Sequence, residues 1–353
     1  MTGRIESLRA LSDQTDGLAR SVTVRHFARH PDLEDRFGDR GRRKCFEDTR
    51  FHLQHLTSAL RADRPQLFAE YLSWAASVLA AYDISVTDLQ QHLQTIRDVL
   101  RERLGGDLRS AASQILDVGV ERLAGQTPDP APELVPEAPQ GQLATEYLDL
   151  LLGGDRRGAL ELIAAKSDAI GVRDLYLHVF QPVLREVGRR WQLREVSVAQ
   201  EHLVTAATQL AMAQLYPRLF STPRNGRTLV AMCVGDELHE VGMRMVADLL
   251  ELEGWTSHFL GANTPPRAAA ETVREQAADL VAVSVTMMSH VEQATETITA
   301  IRAGTDAPII VGGRAVLLIP DLWRELGADG TARDAGRAAT AATELLDRSG
   351  HGG

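Results

Sequence analysis

Between residues 227 and 350, short apolar runs recur at intervals, and helical patterns fill the gaps between them. The runs are Thr228–Val234, Thr256–Gly261, Leu280–Thr286, Pro308–Gly313 and a weaker one near Asp329–Arg333. Runs that are apolar almost throughout belong to strands buried on both faces. Their alternation with helices implies parallel pairing, with helices above and below the sheet.

The number and spacing of the runs predict a flavodoxin-like, Rossmann-type domain over residues 223–350. In such folds ligands sit beyond the carboxyl ends of the strands. Upstream, the period changes. Residues 142–222 read as a four-helix bundle, with segments at 142–153, 155–167, 171–190 and 197–218. Ser197 and Gln200 form a capping-box pattern for the last segment. Residues 126–141, QTPDPAPELVPEAPQG, hold five of the chain's 14 prolines. Such a stretch supports neither a helix nor a central strand and reads as a semi-rigid linker.

Residues 1–125 read as all helix, near 3–11, 15–30, 41–62, 65–82, 87–103 and 107–123. Pro65 suits a first helical turn, and Thr87 is placed to cap the fifth helix. About six helices in this length make a globin-like all-α domain. The chain as a whole is therefore a multidomain α and α/β protein.

Composition narrows the function classes. A net charge of −10 over 353 residues argues against a general polyanion binder. Apolar runs fall short of the roughly 18 residues of a membrane span, and charge appears early, so a cytoplasmic protein is expected. Two cysteines, Cys45 and Cys233, exclude a disulfide framework. Cys233 lies within an apolar strand and reads as core.

Four features fall at strand ends. Glu237-x-His239-x-x-Gly242 follows the first strand and Leu260-Gly261-Ala-Asn-Thr-Pro265 the second. Ser284-Val285-Thr286 ends the third, and Gly312-Gly313 the fourth. All would line one edge of the sheet. A ligand touching all of them is large. It needs backbone approach at the glycines, hydroxyls at Ser284 and Thr286, and an imidazole. A receiver-type flavodoxin-like domain would instead need clustered acids at strand one and an aspartate ending strand three.

This set resembles the cobalamin-binding domain that takes its cofactor with the nucleotide base detached. The resemblance implies that His239 is the lower cobalt ligand and Glu237 the carboxylate orienting its other ring nitrogen. It also implies that Gly242 admits the nucleotide tail, and that Gly261, Ser284, Thr286, Gly312 and Gly313 line the binding slot. Trp191, nine residues, then Glu201-His202 resembles the signature of the cobalamin-dependent photoreceptors first known as carotenoid-gene repressors. It implies adenosylcobalamin, with Trp191 on the upper adenosyl group and Glu201 on its ribose. In that family a histidine after the tryptophan caps cobalt once light has broken the Co–C bond. Gln192 stands there, so His178, His202 or water is left for that place.

Residues 1–125 do not resemble the winged-helix DNA-binding domain of those repressors. With the proline-rich linker and the cobalamin module, the architecture resembles photocobilins, whose N-terminal domain binds biliverdin. The resemblance implies a bilin pocket drawn from His52, His55, Tyr71 and Trp74, with Arg43 or Arg50 on propionates. Cys45 is a possible thioether site.

The expected protein is a non-enzymatic photoreceptor in which light releases the adenosyl group and shifts the bundle against the sheet. Its signal would pass through a light-dependent homo-oligomer or a separate downstream partner, since no effector domain is recognisable after Gly350. Two rivals share parts of this pattern. One is a corrinoid methyl carrier, which needs His239 but not Trp191 with Glu201. The other is a haem sensor with His52 or His55 on iron.

Overall fold

The computed structural model of the protein describes residues 2–125 and 130–350. It divides into two compact units, Met1–Pro128 and Asp129–Gly353. Residues 126–129 of the expected linker and the tail 351–353 lie outside the described residues.

The first unit consists of α1 (Thr2–Asp13), α2 (Thr15–Arg29), α3 (Asp32–Ala62), α4 (Pro65–Ala80), α5 (Val86–Arg103) and α6 (Gly106–Leu123). Pro65 opens α4, as its missing N–H allows. Two details depart from expectation. α3 starts nine residues before the predicted position 41, with a break at Gly38 (φ 53°) that obscures helical periodicity. The cap of α5 is Ser85, not Thr87. The Ser85 hydroxyl accepts from the Asp88 N–H, and the Asp88 carboxylate accepts from the Ser85 N–H. Asp88, three residues after Ser85, completes a capping box there; Gln90 stands at the same spacing from Thr87, so the spacing alone does not choose between the two.

The second unit begins with helices α7 (Gly141–Leu152) and α8 (Arg156–Ile170). α9 (Val172–Leu175) continues through a π-helical turn, Tyr176–Phe180, into α10 (Gln181–Gln192). α11 (Val198–Leu215) follows, with Ser197 and Gln200 forming the predicted capping box. A 3₁₀ turn at Tyr216–Ser221 leads into β1 (Thr228–Cys233), α12 (Val241–Leu252), β2 (Thr256–Phe259) and α13 (Pro266–Glu275). Next come β3 (Leu280–Ser284), α14 (Val291–Arg302), β4 (Ile309–Gly312), α15 (Arg314–Leu318), α16 (Leu322–Glu325), β5 (Gly330–Thr331) and α17 (Ala335–Gly350).

The strands form one parallel sheet in the order β2-β1-β3-β4-β5. β1 and β3 lie inside it and are buried almost throughout, whereas the edge strands β2 and β5 are only partly covered. This is the burial that near-continuous apolar runs require. Register pairs Cys233 with Ser284 and Ser284 with Gly312, so the carboxyl ends of three strands lie level. Cys233 is fully buried, as its strand position predicts.

Alternate strand residues Leu229, Ala231, Cys233, Leu280, Ala282 and Ile310 share one core with α12, α17 and the helices α7 to α11. Tyr147, Tyr176, Phe180 and Trp255 are its largest buried side chains. Polar links also join the helical layer to α12, one buried and one at the margin of the core. Tyr176 donates its hydroxyl to Asp248 at 2.8 Å, and Arg173 pairs with Glu253 at the end of that helix.

The linker is anchored at its far end. Leu134 packs on the shared core, and the Glu133 N–H donates to Glu186 at 3.0 Å. Glu186, 2% exposed, also takes Arg189 (2.9 Å) and Arg190 (2.8 Å), just before Trp191 on α10. Burial opposes ionisation of Glu186, but these donors outweigh it and hold its pKa down to about 2. A lowered carboxyl pKa stabilises the fold above its unfolded value, and that stability is lost as pH falls toward 2. Denaturant titration between pH 5 and 2 should therefore show wild type losing on the order of 2–3 kcal/mol more than Glu186→Gln. Parallel losses in the two chains would exclude this role.

Candidate functional site at the carboxyl edge of the sheet

The turn after β1 is built around one carboxylate. Glu237 is fully buried and accepts five hydrogen bonds from within the fold. Its Oε1 takes the His239 N–H at 3.0 Å and His239 Nδ1 at 2.5 Å. Its Oε2 takes the Thr286 and Met287 N–H groups at 2.8 and 2.9 Å and His290 Nδ1 at 3.2 Å. Burial alone would raise the pKa of Glu237, but bonds from His239, His290 and the Met287 N–H overcome it and hold the carboxyl well below the usual range. An ionised carboxylate only accepts. Both imidazoles therefore carry their proton on Nδ1 when neutral, and the lone pair of His239 rests on Nε2. The hydrogen bond to Glu237, opposed by burial and aided by the charges of Glu237 and Glu201, raises the pKa of His239. A more basic imidazole is a stronger metal ligand.

That side chain is 60% exposed although its carboxylate partner has no exposure at all. Leu238 beside it is 73% exposed, an apolar side chain presented at a strand end. Gly242 lies at the start of α12 with open space where a Cβ would stand. At Gly261 (φ 83°) an added Cβ would lie 3.3 Å from a Glu240 oxygen. Gly313 (φ 100°) is tighter: a Cβ there would fall 2.2 Å from the Val285 carbonyl oxygen.

The residues of the strand-end set lie along one edge of the sheet. The Thr286 backbone N–H donates to Glu237. Ser284 is buried, and its carbonyl accepts from the Val234 N–H.

α11 brings the helical layer to the same edge. The charge of Glu201 acts on His239. Glu201 accepts from Thr205 at 3.0 Å and pairs with His202 Nδ1 at 2.5 Å. Two turns further along, Gln209 donates to Glu240 at 3.1 Å, and the other Glu240 oxygen takes the Ala262 N–H at 3.0 Å. Glu240 therefore ties α11 to the turns after β1 and β2. Trp191, at the end of α10, is half-buried against the shared core. His178 lies in the π-helical turn, about 20 Å along the rod from Trp191 at 1.5 Å per residue. His202 is the histidine beside Glu201.

Sequence reasoning missed His290, Glu240 and Gln209. Each acts through a tertiary contact that no spacing rule signals.

In the first unit, His52, His55 and Tyr71 do come together. His52 Nδ1 lies 2.8 Å from the Tyr71 hydroxyl, and the His55 ring stacks on Tyr71 at 3.6 Å. They are buried rather than displayed on an open face, at 3%, 5% and 5% exposure. Two further buried histidines join them: His92 lies 5.5 Å from His52 and 4.7 Å from His26 between ring centres. Burial, with neighbouring histidines, lowers His26 to about 4 and His52 to about 3, and His92 falls in the same direction. The rings are neutral near pH 7. Burial pushes the Cys45 thiol up to about 11, so it is not a ready nucleophile.

Residues 227–342 match the family model described as a B12 binding domain, and residues 143–216 match a second B12 binding domain model. These matches indicate a cobalamin-type, or corrinoid, cofactor. The chain is 34% identical over 133 residues to the HTH-type transcriptional repressor CarA of Myxococcus xanthus, covering 37% of this chain and 44% of the repressor. It is 32% identical over 143 residues to CarH of the same organism, covering 39% and 46%. The chain thus spans less than half the length of either repressor. The dimethylamine corrinoid protein 3 of Methanosarcina mazei is 25% identical over 172 residues, 46% of this chain and 99% of that protein. Among solved structures, the Methanosarcina barkeri monomethylamine corrinoid protein shares the fold, with TM-score 0.52 and 20% identity over 58% of this chain and 99% of that one.

Proposed function

We propose that the protein is a cobalamin-based light sensor that binds adenosylcobalamin between α10–α11 and the carboxyl edge of the sheet. The observation that carries this reading is the Glu237–His239 pair with Glu201 opposed to it. Among the described residues no group of three or more histidines, cysteines or acids is placed to hold a metal ion. A single imidazole with its proton fixed on Nδ1 suits a metal whose equatorial positions a macrocycle fills.

When bound, adenosylcobalamin supplies a light-labile cobalt–carbon bond. His239 Nε2 would ligate the metal, and Glu237 would fix the imidazole ring. Trp191 would pack on the adenosyl group, and Glu201 would accept from its ribose hydroxyls. Loss of that group would remove a contact of both Trp191 and Glu201, and a resulting shift of the helical layer against the sheet would change a surface shared between copies of the chain or with a downstream partner. The likeness to the transcriptional repressors CarA and CarH supports a regulatory role.

Biliverdin is the proposed second chromophore, in the first unit. The buried imidazoles of His52 and His55 against Tyr71, with His92 beside His52, are more polar than a helical core requires and supply hydrogen bonds suited to pyrrole carbonyls.

A corrinoid methyl carrier is the second reading, favoured by the match along nearly the whole dimethylamine corrinoid protein. One experiment separates the two. Full chain reconstituted with adenosylcobalamin in the dark should change its absorption spectrum and its size in solution after green illumination. Methylcobalamin bound more tightly than adenosylcobalamin, with size unchanged by light, would establish the carrier instead. Biliverdin added in parallel should give a red absorption band; its absence would remove the bilin.

A further inference from the structure

We infer that Asp48 supplies the negative charge for a cationic ligand core in the first unit, accepting from the protonated inner nitrogens of a linear tetrapyrrole; this rests on the bilin reading of that unit.

Asp48 lies on α3 one helical turn before His52 and two before His55, so the three share one side of the helix. That side meets Tyr71 of α4, through the His52 bond and the His55 stack. The charge of Asp48 acts on Tyr71 and on Cys45. Asp48 is itself partly buried, and among the described residues no hydrogen bond or ion pair engages its carboxylate. Lys44 is the cation that acts on it, but Lys44 is exposed and bonded to Glu47, which adds a like charge. Burial therefore pushes the Asp48 carboxyl up to about 6. The nearby rings give no counter-charge, since His26, His52 and His92 are held neutral.

The carboxylates that hold this fold together are placed differently. Glu186 and Glu237 are also buried, but each is met by several donors that keep it ionised. A carboxylate drawn from water with nothing to meet it lowers stability. Set beside a polar cluster, Asp48 fits a partner that arrives with a ligand. Near pH 7 it is mostly ionised and only accepts. A linear tetrapyrrole protonated at its inner nitrogens brings N–H donors and a positive charge together. Neutral imidazoles beside Asp48 do not repel that charge.

The test is titration of the full chain with biliverdin near pH 7, in the dark, for wild type, Asp48→Asn and Asp48→Glu. Thermal unfolding of each unliganded chain is measured alongside. Asparagine keeps the size and removes the charge; glutamate keeps the charge. An opposite charge this close favours the protonated form by about ten- to a thousandfold. Asp48→Asn should therefore bind at least about tenfold more weakly and lose most of the strong red band of the protonated chromophore. Its unliganded chain should melt no lower than wild type, because an unmet carboxylate has gone. Asp48→Glu should keep the red band. Wild-type affinity and band in Asp48→Asn overturn the inference. So does weakening in both variants with lowered melting, which marks a merely structural role. A wild-type chain that gives no red band with biliverdin removes the underlying bilin reading instead.

Discussion

His239→Ala should lose at least about a hundredfold in adenosylcobalamin affinity and all of the imidazole-ligated, base-detached absorption. That factor corresponds to about 2.7 kcal/mol, taken from the only side-chain nitrogen of this turn that combines exposure with a buried carboxylate partner. The fold should hardly notice. The side chain is 60% exposed, and Glu237 keeps the main-chain N–H of residue 239 together with Thr286, Met287 and His290. Unliganded stability should stay within about 1 kcal/mol of wild type. Isothermal titration with parallel absorption spectra checks both halves. A His239→Ala chain that bound with wild-type affinity and spectrum would place the lower ligand elsewhere and dismantle the proposed site.

Gly313→Ala should do the opposite, damaging the fold itself. Gly313 has φ 100° and ψ 162°, a conformation that L side chains avoid. A Cβ there would also stand 2.2 Å from the Val285 carbonyl oxygen, which is main chain and has little room to yield. Strain and overlap together predict a loss of roughly 3–5 kcal/mol in the unfolding of the second unit. Its neighbour provides the control. A Cβ on Gly312 would meet the Ala332 carbonyl oxygen at 3.5 Å, an ordinary contact, so Gly312→Ala should cost less than about 1 kcal/mol. Chemical denaturation of the two variants should separate them clearly. Equal stability would mean that the β3 and β4 turns do not pack this closely in solution.

These two residues also mark how far the chain could be read directly. The strand ends were legible because a buried parallel sheet demands long apolar runs, and residues at the ends of such runs must share an edge. Glu237, His239, Gly242 and Gly313 could therefore be assigned to one place without knowing any distance. The capping box at Ser197 was legible because it is local, with both partners three residues apart. Where local rules competed, the reading slipped. Thr87 with Gln90 and Ser85 with Asp88 both qualify as capping boxes, and the fold uses the second. Gly38 breaks the period at the start of α3 and hid nine helical residues.

The sequence by itself determined the class of each segment and the edge where a ligand would lie, because periodicity and short spacings are encoded within a few residues; the pairing of Glu237 with His239 was implied by the resemblance that their motif carries. Only the tertiary structure decided what surrounds that pair. It brought His290 and two N–H groups of the β3 turn onto Glu237, set the charge of Glu201 against His239, and tied Gln209 to Glu240. In the first unit it gathered His26 and His92 with His52, from three helices, into one buried cluster. The physical reason is the same in each case. A carboxylate removed from water takes whatever donors the packing of distant segments delivers, and that packing is a property of the whole core rather than of any stretch of chain.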